Sequence, residues 1–436
     1  MTLDERDARA ILEKAIRRSK ADACTVRLNG ASGGNIRYAR NTVTTAGGRQ
    51  NTSLGVTSTF GKRTGSSSVN ELDDASVERA VRRSEELARL APEDPEAMDL
   101  LGPQAYAPTP AWFEATANIS PEYRAQVAAA GIEPSKARGC TAAGFLSDSD
   151  GFSAMLNSKG LFGYHRASGM DFSLTVRTED GTGSGYVARD FNDVARFDPA
   201  ATSAIALEKA IASRSPRAVE PGKYTVIIEP EAGNELLGFM MGFDARNAEE
   251  GRSYLAAAGG GTRLGQKLVD ERVTIYSDPA HPEVPSAPWG FDGLPRKRTT
   301  WIDKGIVRNL SYSRFWAAKQ GKEPLPGPAN IIMEGGTQSL EELVRGTERG
   351  ILVTRFWYIR SVDPQTVLAT GLTRDGTFFV ENGQVKHAVK NFRFNESPVI
   401  MLNNLDALGR PMRVQGNLIP PMRVRDFTFT SLSDAI

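Results

Sequence analysis

The sequence predicts an α+β protein: an N-terminal α/β domain with antiparallel strands and flanking helices, then a mostly antiparallel β domain with a few helices. Three observations carry this. Amphipathic helical segments bracket runs of alternating strands over the first 215 residues, and those strands are joined by short turns rather than by helices. The segment SRSPRAVEPGKY (213–224) marks a composition shift, and beyond it the pattern is strand-rich. Two tight-turn signals, DKG (303–305) and ENG (381–383), sit between alternating runs and predict hairpins. The boundary divides the chain into domains 1–215 and 216–436.

The first helix spans Asp4 to about Lys20, with Ala8, Ile11, Leu12, Ala15 and Ile16 on one buried face. Strands are expected at 23–30, 35–48 and 52–61, punctuated by Gly and Asn. A second helix runs from about Ala75 to Leu90, capped by Asp73 or Asp74. The Pro- and Ala-rich stretch 91–117 shows no period and reads as a surface excursion. A short helix opens at Ser120 with Pro121 in its first position and ends at Gly131. Strands follow from Thr141 to about Arg189, including 162–168 and 171–189, and Asp198–Pro199 opens a helix ending near Arg214. In the second domain strands are expected at 224–229, 267–278, 298–313, 350–363, 376–390 and 427–432. Its two expected helices are Glu231–Phe243 and Leu340–Arg345, the latter with Ser339 and Glu342 at capping-box spacing.

Composition narrows the chemistry. With 53 basic and 52 acidic side chains the net charge is +1, which removes the electrostatic footprint of a nucleic-acid binder. No window approaches 18 uninterrupted apolar residues, so no membrane span is expected. The first twenty residues lack a signal-type apolar core, which points to the cytoplasm. Two cysteines, Cys24 and Cys140, and three scattered histidines, His165, His281 and His387, supply no local zinc-ligand pair. Cys140 reads as a small core residue, His281 as solvated, and His387 as structural or exposed.

Several motifs fail on inspection. AAAGGGTRLGQK (256–267) lacks the Gly-Lys-Ser/Thr ending of a phosphate loop and precedes a strand, so it reads as an edge loop. GTGSGY (181–186) misses dinucleotide spacing, and no G-x-S-x-G elbow occurs. The informative segment is YTVIIEPEAGNELLGFMMGF (224–243), a buried strand running into a helix. Glu231 and Glu235, four residues apart, share one face of that helix. Acids near a helix N-terminus are also favoured by its dipole, without any chemistry.

From this segment on, the sequence resembles the TldD/PmbA family, whose members pair as TldD-like and TldE (PmbA)-like subunits. The markers are VDERVTIYSDP (269–279), GLPRKRTTWIDKGIVRNL (293–310), GILVTRFWYIRSVDP (350–364), TGLTRDGTFFVENGQV (370–385) and NFRFNES (391–397). The resemblance implies a cytoplasmic zinc peptidase of two related subunits, in which the TldD-like one carries an H-E-x-x-x-H helix and a later Cys. Two imidazoles and a thiolate then hold the metal, and the Glu serves as general base.

At those positions this chain reads Pro230, Glu231 and Glu235, with no cysteine after Cys140. The counterpart of the motif is degenerate, and carboxylates alone hold zinc poorly without imidazole or thiolate. The resemblance therefore implies a TldE-like, non-catalytic subunit with no cofactor of its own, zinc residing in a TldD-like partner, and unfolded or precursor peptides as substrate. Two rivals stand beside it: a metal-independent hydrolase using Glu231 and Glu235, and a homodimer that binds peptides without cleaving them. Arg374 and Asp375 are candidates for the peptide cleft, or a hairpin-turn ion pair.

Overall fold

A computed structural model describes residues 2–433 of the chain. The first half is a single antiparallel sheet backed by helices. Helix α1 (Glu5–Arg18) precedes strands β1 (Ala23–Ala39), β2 (Thr42–Phe60) and β3 (Arg63–Val69), followed by α2 (Asp74–Leu90). After an irregular stretch come α3 (Glu114–Ala117), α4 (Pro121–Ala137), β4 (Cys140–Asn157), β5 (Phe162–Thr178), β6 (Ser184–Phe191) and α5 (Pro199–Ala212). The strands lie in the order β3-β2-β1-β4-β5-β6.

The alternation of β1 puts Cys24, Val26, Leu28, Ile36 and Tyr38 on one buried face. Because the strands are long, two helix pairs share that face. α1 and α2 cover Val26, Leu28, Leu54 and Val56, while α4 and α5 cover Ile36, Tyr38, Leu146 and Phe172. Each helix start is fixed by a side-chain cap: Asp4, Asp73, Ser120 and Asp198 each accept from a backbone N–H of the first turn. Asp73 is thus the cap of α2, and Asp74 its first residue.

Four expectations for this half are corrected. The chain does not break at Gly30–Gly34: β1 runs through it, and a Cβ at Gly33 would collide with the carbonyl of Asp148 in β4. Those glycines permit close strand approach instead of marking a turn. The turn falls at Arg40–Asn41, both with positive φ, so the segment expected as one strand over 35–48 is two strands of a hairpin. The segments 162–168 and 171–178 likewise form one strand, β5. Helix α4 continues past Gly131 and contains Pro134, since Gly131 sits against the Tyr38 ring and buried Ile132 and Ser135 hold the last turns to the sheet.

The second half holds two further sheets. Its elements are β7 (Gly222–Ile228), α6 (Pro230–Leu237), α7 (Ala245–Glu249), β8 (Ile275–Ser277), β9 (Thr299–Asp303), β10 (Ile306–Val307), α8 (Arg314–Gln320), β11 (Ile332–Met333) and α9 (Leu340–Arg345). Then follow β12 (Arg349–Val353), β13 (Phe356–Asp363), β14 (Leu368–Thr373), β15 (Thr377–Glu381), β16 (Gln384–Ala388), β17 (Phe392–Glu396), α10 (Pro398–Asn403), β18 (Leu405–Leu408), β19 (Met412–Val414), β20 (Asn417–Ile419) and β21 (Met422–Leu432). One sheet orders β10-β9-β8-β11-β20-β19, and the larger one β13-β14-β17-β21-β7-β12-β15-β16 with β18 on β21. Their shared core centres on Trp301, Phe243, Phe356, Phe394 and Phe427.

Both tight-turn signals form hairpins, with positive φ at Lys304–Gly305 and Asn382–Gly383. The capping box of α9 is present in both directions. Other expectations fail. Strand structure in 267–278 is confined to β8. The helix expected to reach Phe243 stops at Leu237 and continues as a single 3₁₀ turn, Gly238–Met240, before Gly242. Short helices α7, α8 and α10, capped by Asp244, Ser313 and Ser397, are too short to show a period in the sequence. No helix is long and apolar enough to cross a membrane among the described residues.

Candidate interdomain site at helix α6

Strand β7 lies parallel to β12 in the middle of the large sheet and delivers the chain into α6. Glu229 is the N-cap residue, Pro230 takes the first helical position, and Glu231 and Glu235 follow one turn apart. Gly233 lets the helix lie close on β21, where a Cβ would meet the tip of Met422 2.7 Å away. Asn234 anchors the outer side, donating to Gln415 at 3.1 Å and accepting from Asn417 at 3.0 Å. The helix is therefore held by its far side while its acids face the first half of the chain.

That half supplies the countercharges. Lys209 of α5 donates to Glu229 at 2.6 Å, and Arg189 of β6 donates to Glu231 at 2.6 Å. Glu229 and Glu231 are both buried. Burial pushes the Glu229 carboxyl up, Lys209 opposes this, and the neighbouring Glu231 charge adds to it. The cost of burying these acids is offset only because each meets a cation.

Glu235 is different. It is half-buried and, among the described residues, makes no hydrogen bond or ion pair. Burial raises its carboxyl to about 7; Arg355 pulls it down and Glu231 pushes it further up. Arg355 lies with its guanidinium 3.6 Å over the Tyr186 ring and 4.6 Å from that of Trp357. It donates to Asp375 at 2.6 Å, and its buried Nε finds no partner among the described residues. Burial also raises the Tyr186 hydroxyl, against the pull of Arg355.

Asp375 is 2% exposed and also accepts from Ser184 of β6 at 2.6 Å. Arg374 stands 3.8 Å from it, across the Trp357 ring. The closer cation of Asp375 is thus Arg355, not Arg374. Nor is TGLTRDG a hairpin: β14 pairs with β13 and β17, while β15 pairs with β12 and β16, so the segment crosses between strands that are not neighbours. Beside Asp375 lies a cavity of about 410 Å³ bordered by Ser184, Ser213, Lys390 and Asn391. A further contact across the halves joins Asp190 to Arg413 at 2.8 Å.

The sequence brought Glu231 and Glu235 to one helix face, and the structure keeps them there. It missed Lys209, Arg189 and Arg355, which lie on other elements. The only signal for them is a cation at an inward-facing position of an otherwise apolar or small-residue stretch. The histidines are elsewhere. His165 pairs with Thr109 at 3.2 Å, His281 is half-buried with its ring accepting from the Glu283 amide, and His387 stacks on Phe379. The expectation of a solvated His281 is therefore corrected to a loop-bracing one. Cys24 and Cys140 are both buried. Among the described residues no three His, Cys, Asp or Glu converge as metal ligands. Around α6 the donors are carboxylates facing Lys209, Arg189 and Arg355, with no imidazole or thiolate beside them, a set that does not fit zinc.

Comparison with known proteins places these features in a family. Three models of one family match successive parts of the chain: PmbA/TldA metallopeptidase domain 1 over residues 24–88, the central domain over 115–214, and the C-terminal domain over 221–431. The Metalloprotease PmbA of Escherichia coli is 24% identical over 95% of this chain and 96% of its own length. A metalloprotease of Methanothermobacter thermautotrophicus is 23% identical over 61% of this chain, and the match spans 62% of that relative. Among solved structures, TldE of Thermococcus kodakarensis superposes with a TM-score of 0.87 at 18% identity, covering 97% of this chain and 99% of that one. The same α+β layout, with mostly antiparallel sheets, is thus shared with TldE. The chain belongs to the PmbA/TldD metallopeptidase family.

Proposed function

We propose that this chain is the zinc-free, TldE-like subunit of a two-subunit peptidase. It pairs with a TldD-like subunit that carries the metal, and together they process unfolded or precursor peptides in the cytoplasm. One observation carries the reading: where the family's metal helix would present imidazoles, α6 presents Pro230, Glu231 and Glu235, with Lys209 on Glu229, Arg189 on Glu231 and the Arg355 charge acting on Glu235. Cations so placed repel a divalent metal and serve to fix α6 against β6. The cavity beside Asp375 and the Arg374 guanidinium lie along the same junction and are the candidate wall of a peptide passage.

The test is the zinc content of the chain purified alone without a metal-affinity tag, together with peptidase assays. Zinc near zero per chain, no cleavage alone, and cleavage on mixing with a family member bearing H-E-x-x-x-H support the proposal. One zinc per chain, or metal-dependent cleavage by the chain alone, overturns it.

A second reading has its own observation. Glu231 is held in an ion pair while the Glu235 carboxyl is pushed to about 7, the kind of divergent pair that general acid–base hydrolysis requires. It expects chelator-resistant cleavage by the isolated chain that is abolished by Glu235→Gln.

A further inference from the structure

The surface charge is unevenly shared. Between residues 296 and 323 the chain carries eight basic side chains and two acidic ones, although its net charge is only +1. This segment contains β9, β10 and α8, and it walls a groove of about 510 Å³ beside the β9–β10 hairpin. Lys297 and Arg298, just before β9, Arg308, just after β10, and Lys322, beyond α8, line the groove. Part of its wall, Lys322–Leu325, is fixed by paired backbone hydrogen bonds between Tyr312 and Leu325. Leu264 of the glycine-rich loop, 45% exposed, adds an apolar rim. Elsewhere exposed arginines meet acids, as Arg9 meets Glu13 and Arg83 meets Glu86. In the groove Arg308 reaches Asp303 at 3.1 Å, and Arg298 stacks on the Tyr276 ring. Lys297 and Lys322 are exposed and make no ion pair among the described residues. Like charges held together repel one another, and an anion in the groove relieves that repulsion.

We propose that this groove binds an acidic, unstructured peptide segment at a site apart from α6. The choice of a peptide over other anions rests on the peptidase reading above. Lysine carries a compact charge on a flexible stem, which suits carboxylates whose spacing varies along a peptide. A phosphate loop would instead turn its amides toward the ligand, whereas those of Gly260 and Gly265 bond to the carbonyls of Ala257 and Val307. Strand addition does not compete here. The edge strand β10 is already met by Lys267 at Ile306 and by the Gly265 amide at Val307. Contact is therefore through side chains, which selects charge rather than sequence. Helix α6 packs against β19 and β20, at the other end of the same six-stranded sheet. Five strand spacings of about 4.8 Å separate the two ends by roughly 24 Å. A peptide held in the groove leaves the α6 junction free, and an extended tail of about seven residues spans the interval.

The experiment is fluorescence anisotropy of the full chain with a fluorescein-tagged, glutamate-rich peptide, and with the same peptide carrying glutamine in place of glutamate. The acidic peptide is expected to bind at least about tenfold more tightly, with an affinity that falls as salt rises. Lys297→Glu/Lys322→Glu should weaken its binding at least about tenfold. Both side chains are exposed, so the fold should stand, and thermal unfolding checks that it does. Lys20→Glu/Lys62→Glu makes the same change in net charge at exposed lysines of the first half, and should alter the affinity less than about twofold. Inorganic phosphate and a single-stranded oligonucleotide should each displace the peptide only at higher concentration than its own untagged form. Equal binding of the two peptides, a groove variant that binds like wild type, or a control variant that loses as much as the groove variant overturns the proposal. So does displacement by phosphate or oligonucleotide at lower concentration than by untagged peptide. The readout needs neither zinc nor cleavage, so its failure and the failure of the subunit assignment are separate results.

Discussion

Replacing Glu235 by glutamine should make the protein more stable at alkaline pH and leave it unchanged in acid. Below the unfolded value of 4.5 the carboxyl is neutral in both states, so the native environment exerts no penalty. As pH rises the unfolded chain ionises first, while the native carboxyl, raised to about 7, resists. The native state therefore holds more protons between these limits, and its stability falls with rising pH until Glu235 ionises in the fold. At about 1.4 kcal/mol per pH unit the interval is worth roughly 3 kcal/mol, trimmed to about 2–3 kcal/mol because the side chain keeps some contact with water. Glutamine cannot ionise and escapes the loss. For a cooperative unit of roughly 200 residues this corresponds to a Tm difference of about 4–12 °C at pH 8.5, vanishing near pH 4.5. Differential scanning calorimetry of wild type and variant from pH 4.5 to 8.5 measures it. Comparing the two cancels the other raised carboxyls, Glu229, Asp171 and Glu396. A difference in Tm that stays constant over that range would refute the reasoning, because it would mean that Glu235 ionises alike in both states.

Further expectations follow from the junction. Arg189→Ala leaves Glu231 buried and unpaired and should cost about 3–5 kcal/mol in urea unfolding, most of it recovered by adding Glu231→Gln. Gly185→Ala places a methyl against the carbonyl of Ala206 in α5, so β6 and α5 must separate at a cost of about 1–3 kcal/mol; thermal unfolding should show it, whereas Gly55→Ala, where a Cβ meets nothing within 4 Å, should lose less. Asp375→Asn weakens the contacts to Arg355 and Ser184 together. A loss of about 2–3 kcal/mol is expected, along with altered fluorescence from Trp357, which stacks on Arg355.

Much of the fold was legible because local chemistry and tertiary context agree in those places. Asp73, Ser339, Lys304–Gly305 and Asn382–Gly383 do in the structure what their types do in isolation. Where reading failed, a distant element had overruled the local rule. Gly30–Gly34 look like a break but admit the neighbouring strand, and Gly131 and Pro134 look like a helix end but lie where the sheet holds the helix. The site divides in the same way. The spacing of Glu231 and Glu235 is a property of one helix and is visible along the chain. Their partners Arg189 and Arg355 are brought in by sheet order, which no local period encodes.

The ion pairs that join the halves at α6 also bear on how the chain is made. Lys209 and Arg189 belong to the part that leaves the ribosome first, and the sheet that carries Arg189 can close without any later residue. Cations waiting in water on a finished sheet cost little, whereas Glu229 and Glu231 tolerate burial only against them. Synthesis thus presents the receptor surface before the segment that needs it. A circular permutant beginning at Gly222 would reverse that order, so that the acids must wait for their partners, and it should refold more slowly and aggregate more during expression even if its final structure is the same.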